Sequence, residues 1–269
     1  MKKYFEYIGL ITLVCFSFFI TEQTVTVVKE VDDIMVQIKN NYLSYTKLGE
    51  SAKVTQDEII PGLVTKKVNI EKSYQLMKEK GVYNSKFYIY DFINPKVSIS
   101  NIFDKKISYG NKKKRMVSLV FLVENTSFEK IDKLSKQGVP VNLIFEQNNI
   151  DDSIKLLENN FNINILVSPT TSNNYDLINT KLNSIKSKLN YCYKDLNAWC
   201  LKNKIYTIKE KEPIEYKPLL AVKNKLSSEN ILVFKINDEL LNELPNIIQY
   251  INSKGYTITL LTEHLSENW

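Results

Sequence analysis

The sequence holds one histidine, His264, among its 269 residues. A single imidazole cannot supply the paired histidines of a conventional metal-hydrolase centre, so that chemistry is excluded by count. Glycine is scarce too, with seven in the chain and no glycine-rich phosphate loop of the P-loop or dinucleotide type, which removes the usual nucleotide enzymes. Of the three cysteines, Cys15 lies in an apolar run, while Cys192 and Cys200 have no histidine nearby and do not make a zinc set. They read as two inert buried thiols, with a disulfide as the alternative. No charge of one sign dominates. The 36 basic and 30 acidic residues leave +6 spread along the chain, which does not indicate nucleic acid and gives only mild attraction to anionic surfaces. With 43% hydrophobic residues the chain can bury a real core, and its length allows one sizeable domain plus an appendage.

Long apolar runs are also lacking, since a full membrane crossing needs about 20 residues. The run from Ile8 to Ile20 has 13 residues, extended towards the N-terminus by Tyr4, Phe5 and Tyr7 with Glu6 as the charge among them, and it follows Met1-Lys2-Lys3. The expectation is an uncleaved signal anchor, a single-pass transmembrane helix within residues 1–23. Thr21-Glu22-Gln23-Thr24-Val25 offers no small-x-small cleavage site. The leading lysines stay cytoplasmic by the positive-inside rule, which places the remaining chain outside the cell membrane.

After the anchor, Val27, Val31, Ile34, Ile38 and Tyr45 recur at helical spacing, so residues 24–58 read as a juxtamembrane helical stalk. It serves either as a dimerisation coiled coil or as a helix packed on its own domain. Ile59-Ile60-Pro61-Gly62 breaks the pattern and opens a small α+β linker module over 59–115. Within it Asn69 can cap a helix running to Lys80 and ended by Gly81, and 86–92 alternates as a strand. The four bases Lys112 to Arg115 read as a solvated turn leading into the next domain.

From residue 116 to 269, short apolar runs alternate with amphipathic stretches. Strands are predicted over 116–123, 139–145, 163–167, 189–193, 204–209, 230–236 and 256–260, and helices over 129–137, 151–160, 175–188 and 240–254, with Gly138 and Gly255 in C-terminal capping roles. Seven βα repeats imply an α/β fold with a parallel sheet, closed as a barrel or open.

Three segments resemble the polysaccharide deacetylase family, the NodB-homology domain. Met116-Val117-Ser118-Leu119-Val120-Phe121-Leu122-Val123 looks like its first strand, Gln137-Gly138-Val139-Pro140-Val141-Asn142-Leu143-Ile144-Phe145 like its second, and 244–265 like its final helix, glycine turn, strand and short terminal helix. The resemblance covers 116–267 and implies a distorted (β/α)7 barrel. Active members are metal-dependent hydrolases that remove acetyl groups from N-acetylated sugars of envelope polymers, using two aspartates on the first strand, two loop histidines and a further histidine. A metal lowers the pKa of water while a carboxylate takes its proton and an imidazole protonates the leaving amine.

Carried across residue by residue, the resemblance puts the general base at Leu122 and the metal aspartate at Val123, which can do neither job. The histidine loop falls on Ser168 to Asn174, without histidine, the fourth-strand motif on Tyr191 to Asp195, and the leucine-histidine pair on Phe234-Lys235. The expectation is a catalytically degenerate member with no metal and no cofactor. Glu124, Glu146, Glu210 and Asp238 stand at strand ends, where carboxylates could hold a hard cation, but they read as solvated loop and capping residues. His264 reads as a surface residue. Tyr191, Tyr193 and Trp199 are candidates for stacking on sugar faces, with Glu124 and Asp238 beside them as polar contacts, against an alternative of ordinary core packing. The partners implied are cell-wall glycan, the membrane, envelope-synthesis proteins, or a second copy through the stalk helix.

Overall fold

The protein is described here by a computed structural model covering residues 11–19, 29, 32–123, 128–145, 163–167, 173–184 and 189–269. Residues 11–19 are helical and expose Ile11, Leu13, Phe16, Phe18 and Phe19. No helix among the described residues is long and apolar enough to cross a membrane, and residues 1–10 and 20–23 of the expected anchor lie outside them.

The chain forms two compact units, one from Met1–Leu48 and Thr65–Ile93 and the other from Gly49–Val64 and Asn94–Trp269. These units do not follow the boundaries expected at residues 58 and 115. In the smaller unit the Asp32 carboxylate accepts from Ile34 N–H at 3.0 Å and starts α1 (Asp33–Tyr45). That helix is shorter than the expected stalk because Thr46 is already extended. Its buried side chains, Met35 and Ile38, belong to its own unit, where Ile38 joins Val68, Met77 and Tyr88 in one core.

Two short strands, β1 (Lys53–Val54) and β2 (Glu58–Ile60), belong to the larger unit. In the smaller one, β3 (Thr65–Val68) leads to α2 (Ile70–Lys80), which Asn69 caps through Lys72 N–H and which Gly81 ends in the left-handed conformation at φ 68°, as its sequence suggests. The predicted strand over 86–92 is instead a 3-10 turn at Ser85–Phe87 followed by β4 (Tyr90–Ile93), antiparallel to β3. Asn84 takes the N–H of Lys86 and caps the turn, which moves the start of the strand from residue 86 to Tyr90.

The larger unit is an α/β domain on a curled sheet. Its strands are β1, β2, β5 (Lys106–Ile107), β6 (Met116–Val123), β7 (Val141–Phe145), β8 (Ile163–Val167), β9 (Tyr191–Lys194), β10 (Thr207–Lys209), β11 (Ile231–Lys235) and β12 (Thr257–Ile258). They pair in the order β1-β2-β5-β10-β9-β8-β7-β6-β11, parallel except for β1–β2, with β12 beside the start of β6. β2 and β5 thus join the sheet, which explains why residues 49–64 and 94–115 group with it. Five described helices accompany the strands: α3 (Phe128–Ser135), α4 (Asn173–Ser184), α5 (Ala198–Lys202), α6 (Pro218–Lys225) and α7 (Asp238–Ser253). A last one, α8 (Leu261–His264), follows β12. The predicted helix over 151–160 lies outside the described residues.

Alternation along each strand sends neighbours to opposite faces. Val117, Leu119, Phe121 and Val123 enter the core against the helices, while Val120 and Leu122 join Ile144, Leu166, Ile208 and Val233 in a second core on the concave face. The curl brings distant strands together: Ile214, after β10, bridges Phe234 of β11, and Gly110 N–H donates to Glu229 O at 2.9 Å. The domain is a half-barrel whose inside is filled by side chains.

Candidate functional site

In parallel βα folds reacting groups stand at the C-terminal ends of the strands. Here the concave face at that end is Lys235, Leu122, Ile144 and Leu166, in direct register across β11, β6, β7 and β8. Leu122 is 8% exposed and its two apolar neighbours 0%. Val123 does not face this side at all, since the alternation turns it into the helix-covered core. The inner row therefore offers hydrocarbon where a metal needs oxygen or nitrogen donors, and these residues do not fit the divalent metal of the family that the sequence resembles. Among the described residues no group of three His, Cys, Asp or Glu comes together.

The charged groups at this end form pairs. Lys235 lies 3.4 Å from Glu215, Lys194 lies 3.0 Å from Glu210, and Asp238, in the first turn of α7, lies 2.9 Å from Lys130. Asp238 follows the cap residue Asn237, whose side chain accepts from Leu240 N–H. Glu124, Glu146 and 168–172 lie outside the described residues, and of Asn173 and Asn174 only the helical backbone is described.

The three aromatic candidates do not share a surface. Tyr191 and Tyr193 face the concave core, whereas Trp199 packs with the helices, its ring stacked on Tyr175 at 5.1 Å and its Nε1 donating to Asp176 at 2.6 Å. Tyr193 is held by its own hydroxyl, which donates to Lys211 O at 3.1 Å and accepts from Lys211 N–H at 3.0 Å. Between the two tyrosines Cys192 points to the opposite face, where it forms a disulfide with Cys200 of α5. This corrects the reading of two free thiols. Their Cα atoms are 6.5 Å apart, within bridging range, because α5 folds back over β9.

At the N-terminal end the concave face turns polar. Asn142 Nδ2 donates to Leu119 O at 2.8 Å and its Oδ1 accepts from Leu261 N–H at 2.8 Å, while Asn164 Oδ1 accepts from Thr262 N–H at 2.9 Å. Two strand asparagines thus seat the first N–H groups of α8, which has no cap of its own. His264, expected at the surface, is instead 0% exposed. Ser118 Oγ donates to Thr259 O at 3.1 Å, so its 3.0 Å contact with His264 Nδ1 takes the ring N–H. Nε2 then carries a lone pair that has no partner among the described residues. Burial, with Lys114 adding to it, lowers the imidazole pKa to about 3. The signal was present in the sequence: Leu261, His264 and Leu265 recur at i, i+3 and i+4, the pattern of one buried helix face.

A groove of about 410 Å³ opens at this same end, with Tyr191, Tyr206, Ser98 and Thr262 in its wall. Sequence reasoning singled out Tyr191 alone of these.

No protein-family model matches the chain. Over 139 residues, 50% of its length, it is 29% identical to the uncharacterized protein YlxY of Bacillus subtilis (strain 168), and the match spans 44% of that relative. Among solved structures it is similar to BA3943 from Bacillus anthracis, described as a CE4 family pseudoenzyme, with TM-score 0.69 and 17% identity over 88% of this chain and 96% of that one. A BA3943 mutant described as having restored enzymatic activity gives 0.68 at 17% identity, covering 88% and 99%. Bacillus subtilis PdaA, a family 4 carbohydrate esterase, gives 0.50 at 16% identity, covering 59% and 84%. These likenesses agree with the fold that the three sequence segments imply.

Proposed function

We infer that this chain, which has the fold of the family 4 carbohydrate esterases, or polysaccharide deacetylases, is a degenerate member that holds envelope glycan without hydrolysing it. The observation that carries the reading is the inner row Leu122, Ile144 and Leu166. Deacetylation needs a carboxylate to take a proton from activated water, and an isobutyl group accepts none. The similarity to BA3943, itself described as a pseudoenzyme, agrees with that reading.

The reading places the domain outside the membrane, anchored by residues 1–23. Disulfides persist in oxidising surroundings, and Cys192–Cys200 fits that side of the membrane. The exposed apolar residues of 11–19 fit insertion into lipid.

The test combines metal analysis of the full chain with acetate release from N-acetylated peptidoglycan fragments in added zinc. No turnover and no stoichiometric metal are expected. Turnover with bound metal would instead favour a divergent N-deacetylase with a relocated centre and would sink this reading. Retention of the full chain on insoluble peptidoglycan tests the binding half. Retention that follows residues 24–58 rather than the curled sheet would point to a scaffold.

A further inference from the structure

The groove of about 410 Å³ lies within the larger unit at the N-terminal ends of β9 and β10, where Tyr191 is in register with Leu166. Its volume falls in the range of roughly 300–1,000 Å³ typical of small-ligand sites. Tyr191 and Tyr206 supply its aromatic wall, and Asn94, Ser98, Thr262 and Asn268 give it amide and hydroxyl groups. No lysine or arginine lines it, in a chain with 36 basic residues. Its carboxylate, Glu267, is already engaged. Oε1 accepts from Gly62 N–H at 2.9 Å and Ile99 N–H at 3.1 Å, and Ser98 Oγ donates to Oε2.

These groups narrow the ligand class. An anion would meet no basic side chain, and a metal ion would find one carboxylate already occupied by three donors. A neutral, hydroxylated molecule fits both facts. Tyr191 keeps 6% of its exposure, and its hydroxyl, like the side chains of Asn94, Thr262 and Asn268, makes no hydrogen bond among the described residues. Burial raises the Tyr191 pKa, so the phenol stays protonated and can both donate and accept. Tyr206 is a fixed wall: its ring stacks on Phe103 at 4.7 Å and its hydroxyl donates to Ile99 O at 3.0 Å. A rigid aromatic surface beside unpaired hydroxyl and amide groups matches a sugar, whose C–H face packs on the ring while its hydroxyls pair at the rim.

We propose that this groove, rather than the strand-end mouth, binds a saccharide unit of an uncharged glycan. The proposal rests on the glycan-binding reading above and deepens it. The experiment is calorimetric titration of the full chain with diacetylchitobiose, alongside Tyr191→Phe, Thr262→Val and the mouth variant Lys235→Met, with thermal melts to verify folding. Tyr191→Phe and Thr262→Val each remove a hydroxyl at nearly constant volume. Each is expected to weaken binding about three- to tenfold, the worth of one neutral hydrogen bond, while Lys235→Met binds as the unaltered chain does. Weakening by Lys235→Met alone, or equally by all three, overturns the groove and leaves the broader reading standing. No binding of the disaccharide by the unaltered chain also overturns the groove. Retention of that chain on insoluble peptidoglycan then preserves the glycan reading, and its loss removes that as well.

Discussion

His264, the last residue of α8, turns its ring inward onto Ser118 of β6, where it is 0% exposed with Nε2 unpaired among the described residues. In an unfolded chain the imidazole titrates near ~6.5, and in the folded one at about 3. Between those values the unfolded state takes up a proton that the native state refuses, so stability falls as pH drops from about 6.5 towards 3 and is untouched by His264 above that window. At pH 4.5 the loss is on the order of 2–3 kcal/mol, at about 1.4 kcal/mol per pH unit. Urea unfolding at pH 7 and pH 4.5 measures it, and His264→Gln is expected to flatten the difference. An equal fall in both proteins would place the acid sensitivity elsewhere. Gly110 belongs to the same constraint. A Cβ added there would sit 2.0 Å from His264 Nε2, and the glycine is not among those with positive φ, so space rather than backbone conformation demands it. Gly110→Ala is expected to cost about 1–3 kcal/mol in thermal or urea unfolding, the usual range for overpacking. An unchanged midpoint would mean that the ring swings aside.

Among the elements, α8 shows how a weak helix is held. It spans Leu261–His264 and lacks a side-chain cap, so Asn142 and Asn164 on neighbouring strands supply its acceptors while Lys114 takes carbonyls at its other end, donating to Glu263 O and Ser266 O. Burial lowers the Lys114 pKa to about 8 despite the nearby Glu263. Asn142→Leu keeps an apolar strand face but strands Leu119 O and Leu261 N–H without partners. Each buried unpaired group costs ~1–3 kcal/mol, so a loss of about 2–5 kcal/mol is expected by urea unfolding. Hydrogen exchange adds a local readout, with Leu261 N–H losing protection before the strand amides. Uniform protection in the variant would show that α8 does not depend on this asparagine.

On the scale of the larger unit, Glu267 joins segments far apart in sequence. Its carboxylate accepts from Gly62 and Ile99, so the loop after β2, the turn before β5 and the C-terminal tail converge on one side chain. Glu267→Ala is expected to destabilise this unit by about 2–4 kcal/mol, since hydrogen bonds to a charged group are worth ~1.5–3 kcal/mol and two backbone donors lose their acceptor. A shift of the urea midpoint below ~0.5 kcal/mol would show that the contacts re-form with water.

How much of this could be read in advance depended on range. β6 and β8 fall where their apolar, β-branched runs place them, and Asn69, Gly81, Gly138 and Gly255 act as the local caps and turns their types suggest. Such features need only a residue and its near neighbours. The apolar character of Leu122 was also legible, as was the resemblance to the deacetylase fold. Pairing of β2 and β5 with the sheet was not, because strands of three and two residues carry too little periodicity. Nor was the separation of Tyr191 and Tyr193 from Trp199, the closure of Cys192 onto Cys200, or the burial of His264. Each is set by which face of a sheet a helix covers and by distances across strands far apart in the chain. By itself the sequence determined the longer strands such as β6 and β8 and the apolar inner row, since these follow from side-chain character and alternation. Only the tertiary structure decided that the strand asparagines of the concave face sit at the end opposite the mouth, because packing α8 there buries backbone N–H groups that Asn142 and Asn164 must satisfy.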